Sequence, residues 1–172
     1  LTVIADAAMI SLENVKALIR NNINYIVGAR VSNLPERLIQ EVSSNLNMVD
    51  KANYRFVTNR GILICDFSKK RYWKNKYEME GQLVKARKYE GKVDALPRKI
   101  KFLKNLNKTK TVINEKLIEK TKLLLGIKGY YTNLEKEKNE TIIQQYNNHW
   151  QVEKSLIMAK TDLQTRPIYH FK

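Results

Sequence analysis

The sequence predicts an α/β fold, on three observations. Thr2-Val-Ile-Ala5 and Tyr25-Ile-Val27 are short apolar runs of β-branched and aromatic residues, the composition of buried strands. Between them Leu12, Val15, Leu18 and Ile19 recur at helical spacing, after Ser11 as N-cap and with Glu13 in the first turn. Strand, helix and strand in such close succession form a right-handed βαβ unit with parallel strands. Asp6 then stands at the C-terminal end of a strand, the edge where open α/β sheets place their chemistry.

The later elements follow from the same rules. Pro35 opens a helix running to about Ser44, with Leu34, Leu38 and Val42 at spacing four. Residues 54–58 and 61–67 are two strands of a hairpin, joined where Asn59-Arg60-Gly61 supplies turn residues. Residues 69–88 are helical and basic, with Gly81 a weak point, and residues 94–110 have no clear periodicity and contain Pro97, which predicts a loop-rich stretch. A helix over 115–125, a short strand over 129–133 and a long helix from Glu140 to about Thr161, stopped before Pro167, complete the chain.

Length and composition narrow the function classes. A chain of 172 residues can bury about 70% of its unfolded surface, enough for one packed domain. With 43% hydrophobic residues and only six Gly and three Pro, it is neither collagenous nor largely disordered. Charges and amides interrupt every apolar run before the roughly 18 residues of a membrane span, and no signal peptide is legible, so a cytoplasmic location is expected. Cys65 is the one cysteine, so no internal disulfide forms, and in an apolar strand it reads as a small core residue rather than a nucleophile. His170 has no Ser or Cys partner in a recognisable motif.

The net charge of +15 calls for a polyanionic partner, and its distribution says where. Residues 69–128 hold nineteen basic and six acidic side chains, while the flanking segments are nearly balanced. Lys69, Lys70, Arg71, Lys74 and Lys76 crowd the start of the basic helix with Tyr72, Trp73 and Tyr77 among them, a mixture suited to phosphates and sugar faces. A solvated lysine-rich helix face is the plainer alternative.

The last helix carries a second pattern. At 100° per residue, Tyr146, Trp150, Glu153, Ile157 and Lys160 fall within about 80° of one another. A core-facing seam does not ordinarily hold an ionised Glu and a Lys, although both could snorkel from its margin. Two carboxylates brought together, Asp6 from a strand end and Glu153 from this helix, could instead ligate Mg²⁺, which takes oxygen donors and keeps several waters. Paired divalent ions of that kind drive in-line phosphoryl displacement.

The order Tyr146, His149, Glu153, Lys160 resembles the Y-(2)-R-(3)-E-(6)-K signature of the DDE transposases of bacterial insertion sequences, with three of four positions in agreement. Val3-Ile-Ala-Asp-Ala-Ala-Met9 looks like that family's second-aspartate segment, Gly129-Tyr-Tyr-Thr-Asn-Leu134 like the strand leading into its glutamate helix, and residues 157–170 continue the pattern. The resemblance implies a ribonuclease H-like core, incomplete here, with an insertion between the second-aspartate strand and the glutamate helix. It divides the chain into a first core part at 1–50, a basic insertion with hairpin and helix at 51–127, and a last strand and glutamate helix at 128–172. It further implies metal-dependent phosphodiester hydrolysis and strand transfer with Mg²⁺ or Mn²⁺, and double-stranded DNA bound at terminal inverted repeats by a homodimer. Asp6 and Glu153 would be the catalytic metal ligands, and Tyr146, His149, Trp150 and Lys160 would contact DNA near the cut, beside the basic Lys69, Lys70, Arg71 and Lys74.

Two departures lead to the expectation of a truncated, inactive copy. The family's first aspartate belongs on a strand upstream of the second, yet only five residues precede Asp6; Asp50 and Asp66 fall in the segment read as insertion and are set aside. His149 replaces arginine, and an imidazole is mostly neutral at pH 7 and cannot grip phosphate bidentately. The alternative from another class is a nonenzymatic, basic nucleic-acid-binding protein; an oligomerisation module ranks last because it leaves the charge unexplained.

Overall fold

The protein is described by a computed structural model covering residues 1–6, 11–59, 61–91, 100–107 and 110–149. Five strands form the main sheet: β1 (Thr2–Ala5), β2 (Asn24–Ala29), β3 (Asn53–Thr58), β4 (Gly61–Phe67) and β7 (Ile127–Thr132). Their spatial order is β1-β2-β7-β4-β3, with β1 and β2 parallel and every other pair antiparallel. Helix α1 (Leu12–Arg20) is the expected crossover, and the Ser11 hydroxyl caps it by accepting from the Asn14 N–H at 3.2 Å. Helix α2 (Glu36–Leu46) follows Pro35 and ends on Asn47 in the left-handed conformation.

Each face of the sheet buries its own apolar set, as the strand alternation demands. Val31, Val42, Leu46, Leu63, Cys65 and Phe67 pack on the α2 side. On the other side Ile26, Ile62, Ile64 and Tyr130, with Ile4, meet Ile142 and Tyr146 of the last helix, α5, described over 139–149. Gly61 opens β4 at φ +103°, where a Cβ would lie 2.5 Å from the Tyr25 hydroxyl. Only glycine suits that conformation and that space.

The hairpin of β3 and β4, placed by the sequence in the insertion segment, is hydrogen-bonded into the main sheet through the β4–β7 ladder. The long basic helix α3 (Lys69–Tyr89) then leaves the sheet, its first turn capped by Ser68. Residues 94–110, read as loop, contribute instead to a two-stranded ribbon: β5 (Leu103–Asn107) pairs with β6 (Lys110–Ile113). Helix α4 (Glu115–Leu123) returns the chain to β7. Together α3, the ribbon and α4 enclose a second core of Met79, Ala86, Phe102, Ile118 and Leu125, joined to the main one by Tyr72, which packs against both.

The start of α5 is fixed by an edge strand. Arg55 of β3 donates to the carbonyls of Leu134 (2.9 Å), Glu135 (2.8 Å) and Glu137 (2.8 Å), gathering the loop after β7 onto one guanidinium. Asn53 accepts from the Asn139 amide on its Oδ1 and donates from its Nδ2 to Glu140. These contacts set where α5 begins, and hence where its side chains meet the sheet.

Candidate functional site

Ile4 packs on the α5 face, so Asp6, two residues on, emerges on the same face just past the end of β1. Tyr146 reaches it from α5: its hydroxyl donates to Asp6 Oδ1 at 2.5 Å, across 140 residues of sequence. Tyr146 is itself 4% exposed, and its ring meets that of Tyr130 edge-on, with centroids 4.9 Å apart. Tyr146, the member of the stripe that lies within the described residues, thus faces the core, and its hydroxyl serves the carboxylate at the sheet edge.

Four further side chains complete this edge, of which the sequence reasoning selected only Arg71, and that as a DNA contact. Tyr130 donates to Asp66 Oδ1 at 3.1 Å, and Asp66 is the one acidic residue of β4 and is buried. Arg71 closes on both Asp66 oxygens at 3.4 Å and donates to the Gly126 carbonyl at 3.1 Å. Lys128, paired in register with Asp66 across β4 and β7, holds its ammonium 4.5 Å from the centroid of the Tyr146 ring and 5.4 Å from that of Tyr130. One sequence signal could have found Asp66: Ile62-Leu-Ile-Cys-Asp66 repeats the apolar-run-then-acid pattern of Thr2-Val-Ile-Ala-Asp6.

Burial shapes the proton affinities here. It pushes the Tyr130 hydroxyl up, with Asp66 adding to the effect, and so keeps it a donor. Burial and then the neighbouring Arg71 hold the Lys128 ammonium below the ordinary lysine range, against the opposing pull of Asp66 and Asp6. Cys65, on the opposite face, is pushed up to about 12 by burial and by Asp66.

The remaining expected site residues divide by location. His149 lies on α5 about one turn beyond Tyr146 and is half-buried, whereas Trp150, Glu153 and Lys160 lie outside the described residues. Lys69 and Lys70 are exposed at the start of α3, and Lys74 is exposed with Glu78 at 3.9 Å. Trp73 and Tyr77 beside them are 61% and 80% exposed, and Lys76 lies over the Trp73 ring. Arg71, grouped with these cations from sequence, turns inward to Asp66 because a buried carboxylate needs a paired charge.

Asp6 suits a hard divalent cation. Its side chain is an exposed oxygen donor, and the Tyr146 hydroxyl occupies only part of the lone-pair capacity of Oδ1. Among the described residues no group of three or more His, Cys, Asp or Glu side chains gathers as a metal cage. No described helix is long and apolar enough to cross a membrane.

Comparison with known proteins finds no match among curated proteins and none among solved structures. A family model described as a transposase DDE domain, however, matches residues 1–166, nearly the whole chain. Its members are transposases, enzymes that act on DNA and generally use divalent metal ions. The mixed sheet with helices on both faces is consistent with a ribonuclease H-like core. With Asp6 at the sheet edge, the glutamate-helix candidate packed against it, and that match over residues 1–166, the chain belongs to the transposase DDE domain family.

Proposed function

We propose that this chain derives from an insertion-sequence transposase of the Y-(2)-R-(3)-E-(6)-K group, which hydrolyses phosphodiesters at the element's ends and joins the freed 3′ hydroxyl to target DNA. The observation that carries the reading is the Asp6–Tyr146 hydrogen bond. It seats α5 against the carboxylate, and Glu153 follows Tyr146 by seven residues, about 10 Å and close to the same face if the helix continues. In this reading Asp6 and Glu153 hold Mg²⁺ or Mn²⁺, which supplies Lewis-acid charge at the scissile phosphate. Lys160 receives a phosphate, Trp150 supports a base near the cut, and His149 gives a weaker phosphate contact than arginine would. Residues 1–50 and 128–172 supply core segments, residues 51–127 carry the basic insertion after a hairpin that joins the core sheet, and the substrate is duplex DNA at terminal inverted repeats, bound by a homodimer in the bacterial cytoplasm.

We also propose that the chain by itself does not cut. Among the described residues β1 is an edge strand with one side unpaired, the side on which a further strand bearing the remaining carboxylate would add. Metal sharing is tested without turnover by loading the protein with Fe²⁺ and adding ascorbate and peroxide. Backbone scission is expected near both Asp6 and Glu153, competed by Mg²⁺ and lost in Asp6→Asn; scission near neither residue overturns the metal assignment. A supercoiled-plasmid assay with Mg²⁺ or Mn²⁺ is expected to show no nicking, and robust nicking abolished by Asp6→Ala refutes the inactivity.

The exposed cations and aromatics of α3 favour one second reading, a nonenzymatic DNA-binding protein. It shares the salt-dependent affinity but not the paired Fe²⁺ scission, so the same experiment separates the two.

A further inference from the structure

Among the described residues Asp6, Asp66, Arg71 and Lys128 gather where the sheet edge meets Tyr130 and Tyr146, and three of these four are already engaged. Asp66 receives Arg71 on both oxygens and the Tyr130 hydroxyl on one. Arg71 is spent on Asp66 and the Gly126 carbonyl, and Asp6 accepts from Tyr146. Lys128 is different: its close contacts among the described residues are two ring faces. A ring face steadies an ammonium's charge but accepts no full hydrogen bond, so the three N–H donors are available to an oxygen ligand.

Register puts that ligand near Asp6. Ala5 pairs with Val27 and Gly28 pairs with Tyr130, so Asp6 is level with Tyr130, and Lys128 stands one pleat further toward the same edge and on the same face. The Tyr146 ring lies beside both: its hydroxyl touches Asp6 and its face carries the Lys128 ammonium. A phosphodiester approaching Asp6 meets a carboxylate, and a cation held at this spot offsets the repulsion.

We infer that Lys128 is a phosphate-contacting residue of the Asp6 site, seated by the Tyr146 and Tyr130 rings. The inference rests on the reading of the site as one that acts on DNA. The test is lysine acetylation of the intact chain, mapped by mass spectrometry, with and without a mixed-sequence DNA duplex. Lys128 is expected to be modified in the free protein and protected by the duplex. Lys128→Met is expected to lower the slope of log affinity against log salt by about 0.9, while Lys128→Arg keeps it. Thermal unfolding of both variants establishes that they fold. If the duplex protects Lys69, Lys70 and Lys74 but leaves the Lys128 rate unchanged, the inference fails and DNA binding through α3 stands. If Lys128 resists acetylation without DNA, it is sealed from ligand and the inference fails. If no lysine is protected, the DNA reading fails and takes the inference with it.

Discussion

Cys65 is fully buried, and its thiol is pushed up to about 12, so its chemistry is that of a neutral core group. A thiol-reactive aromatic disulfide is expected to label it only as fast as the protein unfolds. Its folded value lies above the unfolded one near 8.5, so the folded state holds the proton longer. Stability from this source is complete below that unfolded value and is lost as pH rises toward 12. Tyr130 acts in the same direction, and Lys128, with its lowered value, acts in the opposite one. Urea unfolding at pH 8 and pH 11 is expected to show a smaller alkaline loss in Cys65→Ala than in the parent chain; equal losses would contradict the assignment. The sequence made the burial of Cys65 legible through the apolar run around it. Lys128 was not legible, because one lysine among 23 announces nothing until a strand register sets it beside two tyrosines.

At the scale of elements, α3 shows what local pattern does and does not reveal. Its extent was readable as a helical, basic pattern over 69–88, within one residue of the observed Lys69–Tyr89, and Gly81 stood out as its weak point. A Cβ added there meets no atom within 4 Å. Gly81→Ala is therefore expected to stabilise the protein by about 0.5–1 kcal/mol, read as a higher urea midpoint at unchanged m-value. The β5–β6 ribbon was missed for a physical reason. Lys104, Asn105 and Lys110 are exposed, so the ribbon lacks the apolar alternation that marks a strand with one buried face. The divided apolar faces of the main sheet, by contrast, were written in its strands, whose 62–67 run is buried on both sides.

For the whole molecule, the parallel β1–β2 pair and its helix could be read from residues 2–27, because that unit closes locally. The insertion of β7 between β2 and β4 could not, since it depends on pairings between segments some hundred residues apart, such as Ile26 with Thr132. The same limit hid Asp66: a boundary drawn at residue 51 separated it from a sheet it shares with Asp6. Arg55 is the joint between the hairpin edge and the last helix, and arginine's planar fork suits three converging carbonyls better than an ammonium does. Arg55→Met is expected to cost about 2 kcal/mol in urea unfolding and to speed amide exchange across residues 134–140 ahead of the central strands; unchanged exchange there would show that α5 is anchored by other contacts. The 140-residue span between Asp6 and Tyr146 also imposes a chronology. On a ribosome, the aspartate must wait for 140 further residues before its tyrosine arrives, so this corner closes only after the strands between them have been made, and a nick anywhere in that span cuts the covalent link between its two halves.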